Sequence, residues 1–135
     1  MKKLLVIAVL LTASLFAEIV VIVNSGSGVS NMSAGEVKNV FLGKAKSFSN
    51  GLKAIPIDQQ ASDSAYAVFY KSVAGKSVAK MNKHWVKLTF TGKGEAPKKV
   101  GAGEVVGLVE SNKNMVGYVE KSAVTDGVTV VYTVQ

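Results

Sequence analysis

Two short polar stretches hold the donors from which a ligand site could be built: "NSGS", residues 24–27, and "QQASDS", residues 59–64. Each follows an apolar, β-branched run, and the second leads into a helical pattern. Serine hydroxyls and backbone amides at a helix start suit an oxyanion. The first-turn N–H groups lack intrahelical partners, and the helix dipole is positive there. The candidate ligand-binding residues are therefore Ser25, Gly26 and Ser27 from the first stretch, and Gln60, Ser62, Asp63 and Ser64 from the second. Gln60 can both donate and accept. The same "ASDS" is also an ordinary cap, because Ser and Asp are common at helix starts. Asp63 competes with an anion for those amides. Both readings stand on the sequence.

Other chemistry finds little material. The single histidine, His84, has no HxxxH or HxxE partner, and there is no cysteine, which argues against a zinc or iron site and excludes thiol catalysis. No G-x-S-x-G elbow supplies a nucleophilic serine. "GKS" at residues 75–77 lacks the earlier P-loop glycine, since Tyr70 stands in its place, and "GAGEVVG" has one residue too many for a dinucleotide fingerprint. Trp85 falls on an apolar helical stripe and reads as core. No acid, base and nucleophile cluster forms, so the reading is a binder and not an enzyme, with no cofactor implied.

Around the polar stretches the elements alternate. "EIVVIVN" reads as a strand buried on both faces. In "MSAGEVKNVFLG", Ser33 and Glu36 have capping-box spacing, Met32 and Val37 form a hydrophobic staple, and Gly43 ends the helix. An Asn50-Gly51 turn leads to a second strand, "KAIPID", whose Pro56 predicts an edge or strand-end place. A helix over residues 63–74 follows, with Ala65, Tyr66, Phe69 and Val73 inward. Ser77 caps the next, with Val78, Met81, Trp85 and Leu88 inward. "FTGKGEAPKKVGAG" reads as a mobile loop, residues 104–111 as a short helix, and "MVGYVE" and "VTVVYTV" as strands. The fold class is α/β, a mixed sheet with helices packed on it.

The chain has 135 residues, enough for one core, and is read as two segments: a secretory leader at 1–17 and a domain at 18–135. "MKK", "LLVIAVLL" and "TASLFA" are the basic, apolar and small-residue parts of such a leader, cut after Ala17 or after Ser14. A secreted, cysteine-free domain fits a bacterial periplasm. The formal charge is +7; with Lys2 and Lys3 in the leader, 14 Lys face 9 acidic residues, about +5. Every cation is Lys and none is Arg, which does not suit nucleic-acid binding and gives at most a mild pull on anions.

Four pieces together resemble a known family: "MSAGEVKNVFLGKAKSFSNG"; "IPID" with a Ser-rich helix start and "FY"; "HWVKLTFTGKGEAPKKV"; and "MVGYVE". In this order, over residues 19–123, the chain resembles the periplasmic phosphate-binding proteins of ABC transporters. It is most similar to their short, single-lobe relatives. The resemblance implies a single periplasmic-binding-protein-like lobe and an oxyanion ligand such as phosphate. An Arg-x-Asp-Gly-Ser-Gly-Thr-like loop enters the helix in the two-lobed members, where the Arg clamps phosphate and the Asp accepts its proton. Here the Arg position falls near Asp58 and the Asp near Gln60; Ser62 and Ser64 match the hydroxyl residues, and Asp63 replaces a glycine.

Two functions follow. In the first, phosphate or a related oxyanion lies between "NSGS" and "QQASDS", and the protein serves an ABC transporter permease. A single lobe is an open shelf, so affinity is modest unless a second copy or a partner covers it. In the second, the lobe is an accessory or structural protein of an envelope assembly, docking through the Lys-rich "TGKGEAPKK" loop or through the sheet edge.

Overall fold

A computed structural model describes residues 18–135; the leader expected at 1–17 lies outside the described residues. Five strands form one mixed sheet: β1 (Ile19–Asn24), β2 (Ile55–Gln59), β3 (Lys98–Val100), β4 (Met115–Glu120) and β5 (Val128–Thr133). Their spatial order is β3-β2-β4-β1-β5. β2 runs parallel to both β3 and β4, whereas β1 runs antiparallel to β4 and β5. β1, between β4 and β5, is buried along its whole length, as its continuous apolar pattern requires.

Helices cover both faces. α1 (Ala34–Phe41), α2 (Ser64–Ala74) and α3 (Val78–Phe90) pack on the face that carries Val21, Val23, Val116 and Tyr118. α4 (Val105–Glu110) packs on the other, against Val20, Ile22, Ile57 and Val119. Aromatic rings pin α1 and α2 to β4. Phe69 stacks on Tyr118 with ring centroids 4.0 Å apart, and Phe41 meets Phe69 edge-on at 4.8 Å.

Local chemistry explains the ends. The Ser33 hydroxyl accepts from the Glu36 N–H at 3.1 Å while the Ser33 N–H donates to the Glu36 carboxylate at 2.8 Å, the capping box in full. Gly43 has φ +78°, the left-handed conformation that ends α1 without a Cβ clash. The Ile55 N–H donates to the Asn114 carbonyl beside β4, so the next nitrogen, Pro56, faces away from β4, where β3 joins only from Ile57 onward. Proline therefore costs no ladder bond there.

One expectation is corrected. "FTGKGEAPKKVGAG" is not wholly loop, because Lys98–Val100 forms β3 and closes that edge of the sheet.

Candidate functional site

The strand directions separate the two polar stretches. Val23 at the end of β1 lies opposite Val116, and Val116 lies beside Pro56 at the start of β2. The end of β1 and the end of β2 are therefore at opposite ends of the sheet. "NSGS" and "QQASDS" do not face each other, and the expected cradle between them is not formed.

The first stretch spends its donors on the fold. The Asn24 amide donates to the Val109 and Glu110 carbonyls, each at 2.9 Å, and so closes the end of α4. Its oxygen accepts from the Gly26 N–H at 2.7 Å. The Ser25 N–H donates to the Gly127 carbonyl at 3.1 Å and the Ser27 N–H to the Asn24 carbonyl at 3.0 Å. The buried Ser27 hydroxyl accepts from the Val29 N–H at 3.1 Å. Only the exposed Ser25 side chain remains without such a bond, so this loop is a turn that satisfies its own backbone.

The second stretch is different. Three parallel strands, β2, β3 and β4, end together, and each runs into a helix start: α2, a 3-10 turn at Ala102–Glu104, and a 3-10 turn at Lys121–Ala123. Between them lies a cavity of about 270 Å³ that reaches α2 at Ala65 and is otherwise walled by Gln59, Gly103, Glu120 and Ser122 among others; Gln60, Ser62, Asp63 and Ser64 lie outside its walls. Carboxyl ends of parallel strands are where α/β sheets collect ligands. Asp63 is the N-cap of α2, yet its side chain makes no capping bond, whereas Ser33 caps α1 and Ser77 caps α3. The first bond into α2 is Tyr66 N–H to the Asp63 carbonyl at 3.0 Å. The Ser64 and Ala65 amides precede it. Ser62, Ser64 and Gln60 are exposed, and Asp63 is half-buried.

Beneath this rim sits a polar network that the sequence reading missed. Asp58 is buried, and its carboxylate accepts from the Tyr70 hydroxyl at 2.6 Å, from the Tyr118 hydroxyl, and from the Gln59 N–H at 3.2 Å. The Gln59 amide donates to the Tyr118 carbonyl at 2.9 Å. Burial pushes the Asp58 carboxyl above its ordinary value, opposed by the two tyrosines, the Gln59 N–H and the charge of Lys99. Burial and then the Asp58 charge push Tyr66 up to about 12, and Tyr70 and Tyr118 rise for the same reasons. Lys99 pairs with Asp58 in the β2–β3 register, and its Nζ stands 5.4 Å from the Tyr66 ring centroid, against the first turn of α2. Two signals for this network were present in the sequence: a carboxylate closing an apolar strand, and Tyr66 and Tyr70 at i and i+4. Among the described residues no group of three His, Asp or Glu is placed to hold a metal ion.

The fold is that of one lobe of the binding proteins of phosphate transport. Solved structures that it is similar to include a phosphate ABC transporter substrate-binding protein from Clostridium perfringens, solved with bound phosphate (TM-score 0.66, 18% identity, 85% of this chain and 44% of that one). A second is an ABC-type phosphate transport receptor from Vibrio cholerae (TM-score 0.65, 16% identity, 85% and 45%). A third is PstS from Borrelia burgdorferi (TM-score 0.65, 12% identity, 86% and 47%). The chain thus spans a little under half of each of these proteins. No family model matches the sequence, and no curated protein does.

Proposed function

We propose that this protein is a periplasmic oxyanion binder, one lobe of the solute-binding kind, that takes phosphate or sulfate at the start of α2. The observation that carries the reading is the meeting of three strand ends and three helix starts around one cavity, with the first-turn amides of α2 not bonded by its N-cap side chain. The Ser64 and Ala65 amides and the Ser62 and Ser64 hydroxyls donate to the anion. Lys99 supplies the positive charge at the first turn that Asp58 does not. Asp58 is turned inward, where the Tyr70 and Tyr118 hydroxyls donate to its carboxylate, so it does not face the start of α2 as a bare charge. Ser25, Gly26 and Ser27 stand outside this site.

A shelf with one wall holds an anion at about millimolar affinity, and a second copy, a permease or an envelope partner would supply the other wall. The chemistry is capture and hand-over, with no bond made or broken. The test is calorimetric titration of the domain with phosphate and with sulfate at low salt, comparing wild type with Ser62→Ala/Ser64→Ala and with Lys99→Met. Saturable heat that both variants weaken supports the reading. Wild-type heat that neither variant changes moves the anion elsewhere.

A further inference from the structure

α3 spends one stripe on the core, through Met81 and Trp85, and leaves another bare. Val86 is 69% exposed and Phe90 is 90% exposed, the highest among the large apolar side chains of the described residues. They lie four residues apart and so share one face. Lys80, Lys83 and Lys87 are exposed on the adjoining part of the helix surface, and the helix contains no carboxylate. Beside it is a cavity of about 320 Å³ lined by Lys44, Lys76, Lys87 and Lys93 together with His84 and Thr91, and by no acidic residue. His84 Nε2 lies 2.9 Å from the Leu42 carbonyl, which can only accept, so that nitrogen carries the proton and the ring is held at the cavity wall. Among the described residues the one ion pair is Lys121 with Glu18, so none of these lysines is neutralised by a neighbour.

Two features therefore adjoin on the outside of this helix: the row of Lys80, Lys83 and Lys87, and the apolar pair Val86 and Phe90, with the basic concavity around the far side of Lys87. A soluble anion would use the first and have no use for the second. A bilayer with anionic headgroups uses both. A helix with lysines on one part of its surface and Phe and Val on the next lies in the interface plane, and clusters of four to eight lysines are the usual footprint of anionic lipid. No helix among the described residues is long and apolar enough to cross a membrane, so the contact is peripheral.

We propose that the outer face of α3, carrying Lys80, Lys83, Lys87, Val86 and Phe90, seats this protein on an anionic phospholipid bilayer. The ammonium groups take the phosphodiester headgroups, and Phe90 and Val86 enter the boundary between headgroups and acyl chains. This contact is separate from the α2 site and does not depend on it.

The test uses residues 18–135, since both described cores and all five strands lie there and the apolar run before them would itself partition into lipid. Sedimentation with phosphatidylcholine vesicles, with and without phosphatidylglycerol, reads the binding at low and at physiological salt. Far-UV circular dichroism confirms that each surface variant is folded. Binding is expected only with phosphatidylglycerol, weakening with salt. It falls about fivefold for each of Lys83→Ser and Lys87→Ser, and about tenfold for Phe90→Ser. Indifference to anionic vesicles overturns the proposal, as does binding that Phe90→Ser leaves unchanged. Saturable pyrophosphate binding by a protein that ignores vesicles would make the cavity a soluble-anion site and overturn it too.

Discussion

Replacing Asp58 by alanine removes the acceptor for two tyrosine hydroxyls at once. Tyr70 is fully buried and Tyr118 nearly so, and both donate to that carboxylate. A buried hydroxyl left without a partner costs about 1–3 kcal/mol, so two cost about 2–6 kcal/mol. Removing a buried charge gives part of this back. A net loss of about 3 kcal/mol is expected, a large share of the roughly 5–15 kcal/mol that holds a domain together. Tyr70→Phe alone removes one donor from a charged acceptor and costs about 1.5–3 kcal/mol. In the Asp58→Ala background the same change removes an orphaned hydroxyl instead, and it should stabilise by about 1 kcal/mol. The sign of the Tyr70→Phe effect therefore reverses with the residue at position 58. Urea unfolding of the four proteins of this cycle at neutral pH measures it. Additive effects of the two changes would refute the reasoning, because they would mean that the bond drawn between Tyr70 and Asp58 carries no energy.

The same carboxylate makes stability depend on pH. Its folded-state pKa is raised above the ordinary 3.8, so the folded protein holds the proton more tightly than the unfolded chain. That contribution is complete below the unfolded value and is lost as pH rises through the raised one. Wild type should gain stability relative to Asp58→Asn as pH falls from neutral toward about 4, and urea midpoints of the pair that keep a constant separation would count against it. Ser33→Ala should cost about 1 kcal/mol because its hydroxyl caps the Glu36 amide, while Asp63→Ala should cost less than about half of that, its side chain capping nothing; thermal melts compare the two. Gly117→Ala should cost about 1–3 kcal/mol. An added Cβ there would come within 2.7 Å of a Val105 methyl, and a chemical denaturation midpoint that does not fall would show that α4 yields freely.

Most elements were legible because their signals are local. The continuous apolar run of β1, the Ser33–Glu36 box and the glycine after α1 each act within a few residues, and each is found where it was read. β3 has no such signal. It is three residues, "KKV", with both lysines exposed, and it becomes a strand only because Ile57 and Asp58 offer it an open edge.

Strand direction was equally out of reach. A strand, a helix and a strand in succession suggest a parallel pair. Here β4, from much later in the chain, lies between β1 and β2, parallel to one and antiparallel to the other. This placement sends "NSGS" to the far end of the sheet and splits the expected site. The Asp58 network was hidden for a related reason. A carboxylate at a strand end reads as rim, and only the packing of α2 onto β4 turns it into the centre of a tyrosine cluster.

The start of α2 is either an anion cradle or a plain helix start. Calorimetric titration of residues 18–135 with phosphate at low salt tests this directly, with Ser62→Ala/Ser64→Ala as the comparison. Saturable binding at about millimolar affinity that the double variant weakens is the predicted result. A folded wild type that gives no heat with phosphate or sulfate would contradict it, and would leave the open turn of α2 as a helix start and nothing more.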